Sequence, residues 1–181
     1  MPKIKLSSAT KPPAHVRWGI HGYVTDKGLK LNLMIGLGDT NAICRMSFLR
    51  NNSKVLLLEW QNDWPQTTYV QDVPATAAVM KCVASKTASL NILLVGTGFQ
   101  HKVWQALATI PSGHVLTYGD VAQRIKNPKA SRAVGGACGR NRVTYLIPCH
   151  RVIAGDGRIG GFSSDPKIKR DLLRSEGVRL R

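Results

Sequence analysis

Apolar positions recur with two different periods along the chain, and the change of period divides it. Gly19 to Val24 and Leu29 to Ile35 are apolar-rich runs on either side of "TDKG", a hairpin-type turn, and predict two paired strands. Ile43 to Leu49 predicts a third strand. Ser53 is placed to cap a helix over "SKVLLLEWQND", which Pro65 closes off. Ala75 to Ser85 predicts a second helix, and Asn91 to Val95 a short buried strand.

The pattern changes at Gly96-Thr97-Gly98. "TGFQHKVWQALATI" repeats at helical spacing and sets Phe99, Val103, Leu107 and Ile110 on one face. Pro111-Ser112-Gly113 ends that helix. "TYGDVAQRI" then predicts a helix that Asn127-Pro128 breaks, and "KASRAVGGACGRN" a short helix of small residues. Helix, tight turn, helix is a helix-turn-helix signature. The expected organisation is an α/β domain over 1–95, a small sheet with helices acting as structural support, and a mainly α-helical domain over 96–181.

Charge sharpens that division. The 181-residue chain carries a net +16, with +10 after residue 95 and +6 before it. Such a surface attracts polyanions, nucleic acid first and anionic membranes second. No apolar run approaches the ~20 residues of a membrane span; the longest are "VLLLEW" and "LNILLV". The N-terminus lacks the apolar segment of a secretory signal. The expectation is a soluble intracellular protein. In the small-residue helix, Ala130, Ser131, Ala133, Gly135, Gly136 and Ala137 allow close backbone approach, and Arg132 alone projects. A major-groove reader would carry several long polar side chains.

Four cysteines, Cys44, Cys82, Cys138 and Cys149, are far apart and form no C-x-x-C pair, which excludes the usual zinc spacings. One of them stands out. "LIPCHRVI" places Cys149 between Pro148 and His150, with Arg151 following. A nucleophilic cysteine needs a nearby base or positive charge. On an extended segment, neighbouring side chains point to opposite sides. His150 would then reach the sulfur only through a bridging water, unless the backbone turns. An imidazole in that role usually has an orienting carboxylate. Asp120, Asp156, Asp165, Asp171 and Glu176 are the candidates, and the residues alone do not choose among them. Glu176 lies near the end of a helix that Pro166 starts and Gly177 stops.

Four segments, "VWQALATIPSGHVLTYGDVA", "PKASRAVGGACGRN", "LIPCHRVI" and the glycine-rich stretch before "LLRSEG", stand in an order and spacing that resembles the O6-alkylguanine-DNA alkyltransferase family. The resemblance covers residues 96–181 closely; before that it extends only to the strand-then-helix layout. It implies direct DNA repair without a cofactor. An alkyl group would move irreversibly from O6-alkylguanine, and from O4-alkylthymine, to Cys149, one group per protein molecule. It further implies that a monomer binds double-stranded DNA through the minor groove and flips the damaged base into a pocket.

In the resemblance, His150 is the water-mediated base and Glu176 its orienting carboxylate. Tyr118 assists the leaving guanine and presses on the flipped nucleotide's phosphate. Arg132 fills the vacated stack, with Ala130, Ser131 and Gly135 beside it on the DNA. The carbonyls of Cys149 and Val152 read the guanine amino group, and Ser163 faces its oxygen. Asn141 ties the helix-turn-helix to the cysteine segment. Arg151 is expected to serve packing or a nearby carboxylate. Some relatives bind zinc in the N-terminal half; His15, His21, Cys44 and Cys82 do not match such a site, so no metal is expected. No resolving thiol neighbours Cys149 in the sequence. Phe162 stands where tyrosine is commoner. The expected location is the cytoplasm, or the nucleus in a eukaryotic cell. A sequence-reading transcription factor, a turnover cysteine hydrolase and a non-catalytic lesion binder are the rival readings. Poverty of base-reading side chains argues against the first. The cysteine itself argues against the last, which usually carries tryptophan there.

Overall fold

The computed structural model describes residues 2–50, 52–85, 88–162 and 165–179. The chain divides into two compact units, Met1–Thr25 with Lys30–Gly96, and Asp26–Leu29 with Thr97–Arg181.

The first unit is built on one mixed sheet. Its strands are β1 (Lys3–Ala9), β2 (His15–Val24), β3 (Lys30–Leu37), β4 (Ile43–Phe48), β5 (Thr68–Gln71) and β6 (Ser89–Val95), in spatial order β1-β6-β4-β3-β2-β5. The predicted hairpin is β2–β3, antiparallel from Arg17↔Leu37 to Val24↔Lys30. β4 is the expected third strand, antiparallel to β3. The middle of the sheet is buried on both faces, so Leu33, Met34, Ile35, Ile43 and Met46 form a continuous apolar run across β3 and β4. β6 alternates buried and exposed positions instead of being buried throughout. β1 and β5 were not foreseen. Both lie at sheet edges, where half the side chains face water and the apolar signal thins.

Two helices accompany this sheet. α1 (Ser53–Asp63) starts at its expected cap residue, and the cap lies one residue earlier, at Asn52. Asn52 is extended and accepts a bond from Lys54 N at 2.8 Å, which makes Ser53 the first helical residue. α2 (Val73–Ala84) starts at Asp72, whose carboxylate accepts from Ala75 N at 3.0 Å, and Pro74 fits the first turn. α2 packs on β2, β3 and β6. Arg45 is a buried cation that the apolar pattern does not announce. Its guanidinium lies 4.3 Å from the Trp64 ring and 5.0 Å from the Trp60 ring, and bonds Asp63 at 2.9 Å.

The second unit is mainly helical. α3 (Gly98–Ala108) opens with a complete capping box between Thr97 and Gln100. Its buried face is Val103, Trp104 and Leu107, continued by Ile110, while Phe99 is only half-buried. β7 (Leu116–Thr117) pairs in parallel with β8 (Val152–Ile153). α4 (Tyr118–Arg124) has a second capping box, between Thr117 and Asp120. α5 (Ser131–Gly139) follows, and α6 (Pro166–Ser175) closes the unit. α3, α4 and α5 pack on one another, and Trp104 Nε1 donates to Ala137 O at 2.9 Å. The fold class is as expected: a small sheet with helices, then a helical region carrying a helix-turn-helix.

One close approach in the first unit is testable. A Cβ on Gly19 would overlap the Oγ1 of Thr76, which is fully buried and bonded to Asp72 O and Val73 O at 2.9 and 3.0 Å. Gly19→Ala should therefore destabilise by about 1–3 kcal/mol, the usual range for overpacking. Combining it with Thr76→Ala should recover part of the loss in urea unfolding.

Candidate active site around Cys149

The cysteine segment is not extended. Pro148, at φ −81° and ψ 63°, closes an inverse γ-turn in which Cys149 N donates to Ile147 O at 2.8 Å. Arg151 N then donates to Pro148 O at 3.0 Å, and Cys149–Arg151 form one 3-10 turn. Proline's fixed φ suits this bend and its missing N–H costs nothing there. The backbone thus turns a corner here, and the corner changes which way the next side chains face. His150 and Arg151, instead of pointing apart, both meet Glu176.

Glu176 caps the C-terminus of α6, followed by Gly177 in the left-handed region at φ 84°. Its carboxylate accepts from His150 Nε2 at 3.1 Å, Arg151 Nε at 2.9 Å and Arg151 Nη2 at 2.7 Å. Arg151 Nη1 donates to Ile110 O at 2.6 Å, so this buried arginine also ties down the end of α3. Burial works to raise the Glu176 pKa, but the bonds from His150 and Arg151 outweigh it and hold the carboxyl at about 2. An ionised Glu176 receives its bond from Nε2–H, which leaves the lone pair of His150 on Nδ1. That Nδ1 is buried and has no hydrogen-bond partner among the described residues. Burial lowers the His150 pKa against the pull of Glu176, so the ring is neutral near pH 7 and able to take a proton.

Cys149 is 4% exposed. Burial pushes its thiol pKa up, opposed by the Asn141 amide and the positive charge of Lys169. Asn141 makes three bonds at this point. Its Nδ2 donates to Ile147 O at 2.8 Å and to Cys149 Sγ at 3.2 Å, and its Oδ1 accepts from Val143 N at 3.0 Å. Asn141 follows Arg140, the C-cap of α5. One amide therefore joins the end of the helix-turn-helix, the approach to the turn and the sulfur.

Cys149 opens onto a cavity of 210 Å³ lined by Tyr118, Gly135, Cys138, Gly139, Gly161 and Phe162. Tyr118 lies between two glycines: a Cβ on Gly135 would sit 3.8 Å from its ring and one on Gly160 3.3 Å from its hydroxyl. The hydroxyl donates to Gly161 O at 3.4 Å, and burial raises its pKa, so it stays a donor. Cys138 brings a second thiol to the cavity, although no thiol neighbours Cys149 in the sequence. Burial pushes that thiol up to about 12, so it remains protonated and a poor nucleophile.

The other expected residues fall in two places. Ala130, Ser131, Arg132 and Gly135 lie on α5 or at its start. Ala130 is the N-cap and supplies no side-chain bond, and Arg132 is exposed. Val152 is buried, and its carbonyl already accepts from Lys169 Nζ at 2.6 Å, which leaves one lone pair for a base. Ser163 lies outside the described residues.

Lys169 is the residue that sequence reading missed. Its side chain is fully buried although it sits among the lysines and arginines of α6. Nζ bonds Val152 O and Gly161 O, the latter at 3.3 Å, and lies 6.0 Å from the Phe162 ring. Burial lowers its pKa to about 8, with the two cysteines of the cavity pulling the other way. A signal did exist: Lys169, Leu172 and Leu173 share the spacing of a buried face.

The chain is similar to known proteins over most of its length. Residues 98–178 match the family described as 6-O-methylguanine DNA methyltransferase, DNA binding domain. Over 145 residues the chain is 37% identical to the methylated-DNA–protein-cysteine methyltransferase of Methanosarcina mazei, which covers 80% of this chain and 90% of that protein. Among solved structures it is similar to Mycobacterium tuberculosis OGT in complex with DNA, at 30% identity and a TM-score of 0.66, covering 90% of this chain and 92% of that one. It is also similar to the O6-methylguanine-DNA methyltransferase of Pyrococcus kodakaraensis, at 26% identity and a TM-score of 0.63, covering 89% and 99%.

The position of Lys169 makes a prediction. Replacing a buried charge by an apolar group of similar length is often neutral or stabilising. Lys169→Met should therefore keep the fold while removing the positive charge near Cys149. Single-turnover transfer at neutral pH should fall about tenfold, with the pH-rate profile moved up by about one unit. An unchanged profile would show that Lys169 does no more than fill space.

Proposed function

Because the chain belongs to the methylated-DNA–protein-cysteine methyltransferase family and repairs DNA directly by moving an alkyl group onto one of its own cysteines, we propose that Cys149 is the acceptor and that Glu176, His150 and Asn141 prepare it. One observation carries the assignment. The buried Cys149 lines a cavity of 210 Å³, and the next residue is an imidazole fixed by an ionised carboxylate, its Nδ1 without a hydrogen-bond partner among the described residues.

The chemistry is a displacement at carbon. His150 Nδ1 takes the thiol proton through a water. The thiolate attacks the alkyl carbon of O6-alkylguanine, the S–C bond forms, and the C–O6 bond breaks with its electron pair going to the guanine. Tyr118 donates to the departing base, as a group aimed at developing charge should. The same alkyl–oxygen bond in O4-alkylthymine makes it a second substrate. A thioether does not hydrolyse under these conditions, and the protonated Cys138 does not attack it. Each molecule therefore reacts once.

The protein binds DNA. Minor-groove entry is supported by α5, whose small residues permit close approach and whose single long side chain near its start, Arg132, is free to enter the gap left by a flipped base. The start of α5 lacks a side-chain cap, so its amides suit a phosphate. Asn141 then couples helix position to the sulfur, and the remaining lone pair of the Val152 carbonyl is left to read the base. The cavity is smaller than the ~300 Å³ and upward that hold drug-sized ligands, in keeping with one base and a small alkyl group. A charge of +16 disfavours self-association, which supports a monomer. We place it with the chromosomal DNA, in the cytoplasm or, in a eukaryote, the nucleus.

Mass spectrometry after incubation with O6-methylguanine duplex tests the assignment. One methyl group should appear on the Cys149 peptide. Cys149→Ser should gain none while binding the duplex as before. A methyl on Cys138 would overturn the reading.

Arg132 gives a second test. If it fills the vacated stack, Arg132→Ala should slow repair of a duplex far more than reaction with free O6-methylguanine base, by about 10-fold or more for a few kcal/mol of lost support. Equal losses on both substrates would move Arg132 out of the flipping step.

A further inference from the structure

Most of the basic charge on α6 has no counterpart in the chemistry above. Arg170, Arg174 and Arg179, together with Arg158 from the loop after β8, border a groove of 640 Å³ floored by Ile159 and Leu173. Arg158 is held by Asp156, Nε to Oδ2 at 2.7 Å. The other three have no hydrogen-bond or ion-pair partner among the described residues, and Glu176, on the same stretch of chain, is committed inward to His150 and Arg151. All four arginines are exposed.

The groove is separate from the cysteine cavity. Successive helical residues are turned by about 100°. Lys169 points inward to Val152 O, and Arg170, next to it, points out into the groove. The loop between β8 and α6 walls both spaces: Gly161 and Phe162 face the cavity, whereas Arg158 and Ile159 face the groove. Neither Arg132 nor any other α5 residue lines the groove.

We propose that this groove is a second nucleic-acid site, which takes the sugar-phosphate backbone of DNA lying beyond the segment held by α4 and α5. The proposal rests on the DNA-repair reading above and adds a second contact to it. Arg170 and Arg174 are one turn apart, about 6 Å along the helix axis, and form a ridge of forked donors suited to successive phosphates of one strand. The floor offers aliphatic side chains and no aromatic ring, so it suits backbone and not stacked bases. A second copy of the chain is a poor occupant, because its own net charge is +16. A lipid surface is also a poor one, since among the described residues the large exposed apolar side chains all precede residue 96.

The charge-removing pair Arg170→Gln/Arg174→Gln and the charge-keeping pair Arg170→Lys/Arg174→Lys test this. Binding to an O6-methylguanine duplex would be followed by fluorescence anisotropy across a salt series, with one duplex limited to the helix-turn-helix footprint and one extending well past it. Each lost phosphate contact lowers the slope of log K against log salt by about 0.9. The Gln pair should lose about 2 in slope on the long duplex and nothing on the short one, and the Lys pair should keep the wild-type slope on both. Methyl transfer on the short duplex should be unchanged in both variants, which separates the groove from the alkyl-transfer reading; that reading fails only if Cys149 of the wild type takes no methyl. A wild-type slope for the Gln pair on the long duplex overturns the proposal. So does an equal loss on both lengths, or an intact DNA slope with lost binding to phosphatidylserine vesicles.

Discussion

Glu176 accepts three hydrogen bonds from two consecutive side chains, His150 and Arg151. The arrangement exists only because the backbone turns at Pro148. On an extended segment the two would face opposite ways, and one carboxylate could not hold both. The same bonds fix the tautomer of His150 and anchor Arg151, whose remaining nitrogen braces the end of α3 through Ile110 O. Cys149, at the head of the turn, inherits its position from this network and from Asn141 on its other side. The 3-10 turn, the end of α6 and the segments after α3 and α5 therefore meet at a few buried polar contacts, whose loss would leave charges unpaired in the interior.

The balance of buried charge bears on how a thiol with a raised pKa can react. Glu176 is ionised and Arg151 is its counter-ion, while His150 is neutral. Lys169, with a pKa of about 8, is mostly charged near neutrality and has carbonyl oxygens but no carboxylate as partners. With Cys149 protonated, the buried cluster carries one uncompensated positive charge. With Cys149 as thiolate, that charge is matched. Burial alone disfavours the thiolate, and the surroundings are arranged so that its appearance improves the local balance. Preorganised charge of this kind needs no rearrangement at the moment of reaction.

On the surface the same unit divides its basic residues. The start of α5 offers an uncapped set of amides and the single exposed Arg132, suited to close approach and insertion. α6 offers a row of arginines on a different wall. The two faces differ in make-up: small residues along α5, long cations along the α6 groove. Asn141 lies just past the end of α5 and bonds both Ile147 O and the Cys149 sulfur, so one amide joins the end of that helix to the sulfur.

The local pattern determined much of this protein. Period-2 and period-3.6 apolar spacing marked β2, β3, β4 and most helices, and cap residues marked their ends to within about two residues. The specific run Pro-Cys-His-Arg, with its companion segments, pointed to the cysteine and to alkyl transfer. The sequence alone did not supply the turn at Pro148, the sharing of Glu176 by two side chains, Cys138 in the cysteine cavity, or the burial of Lys169. Each of these depends on which distant elements pack together. Residues 149 and 138, or 169 and 152, become neighbours only when α5, α6 and the 3-10 turn close on one another. Edge strands β1 and β5 escaped for a related reason, since a strand half in water leaves little apolar signal until its partner is known. Spacing encodes what a segment does with its own neighbours. The site was decided by contacts across the chain, where burial, charge and hydrogen bonding are set by tertiary packing.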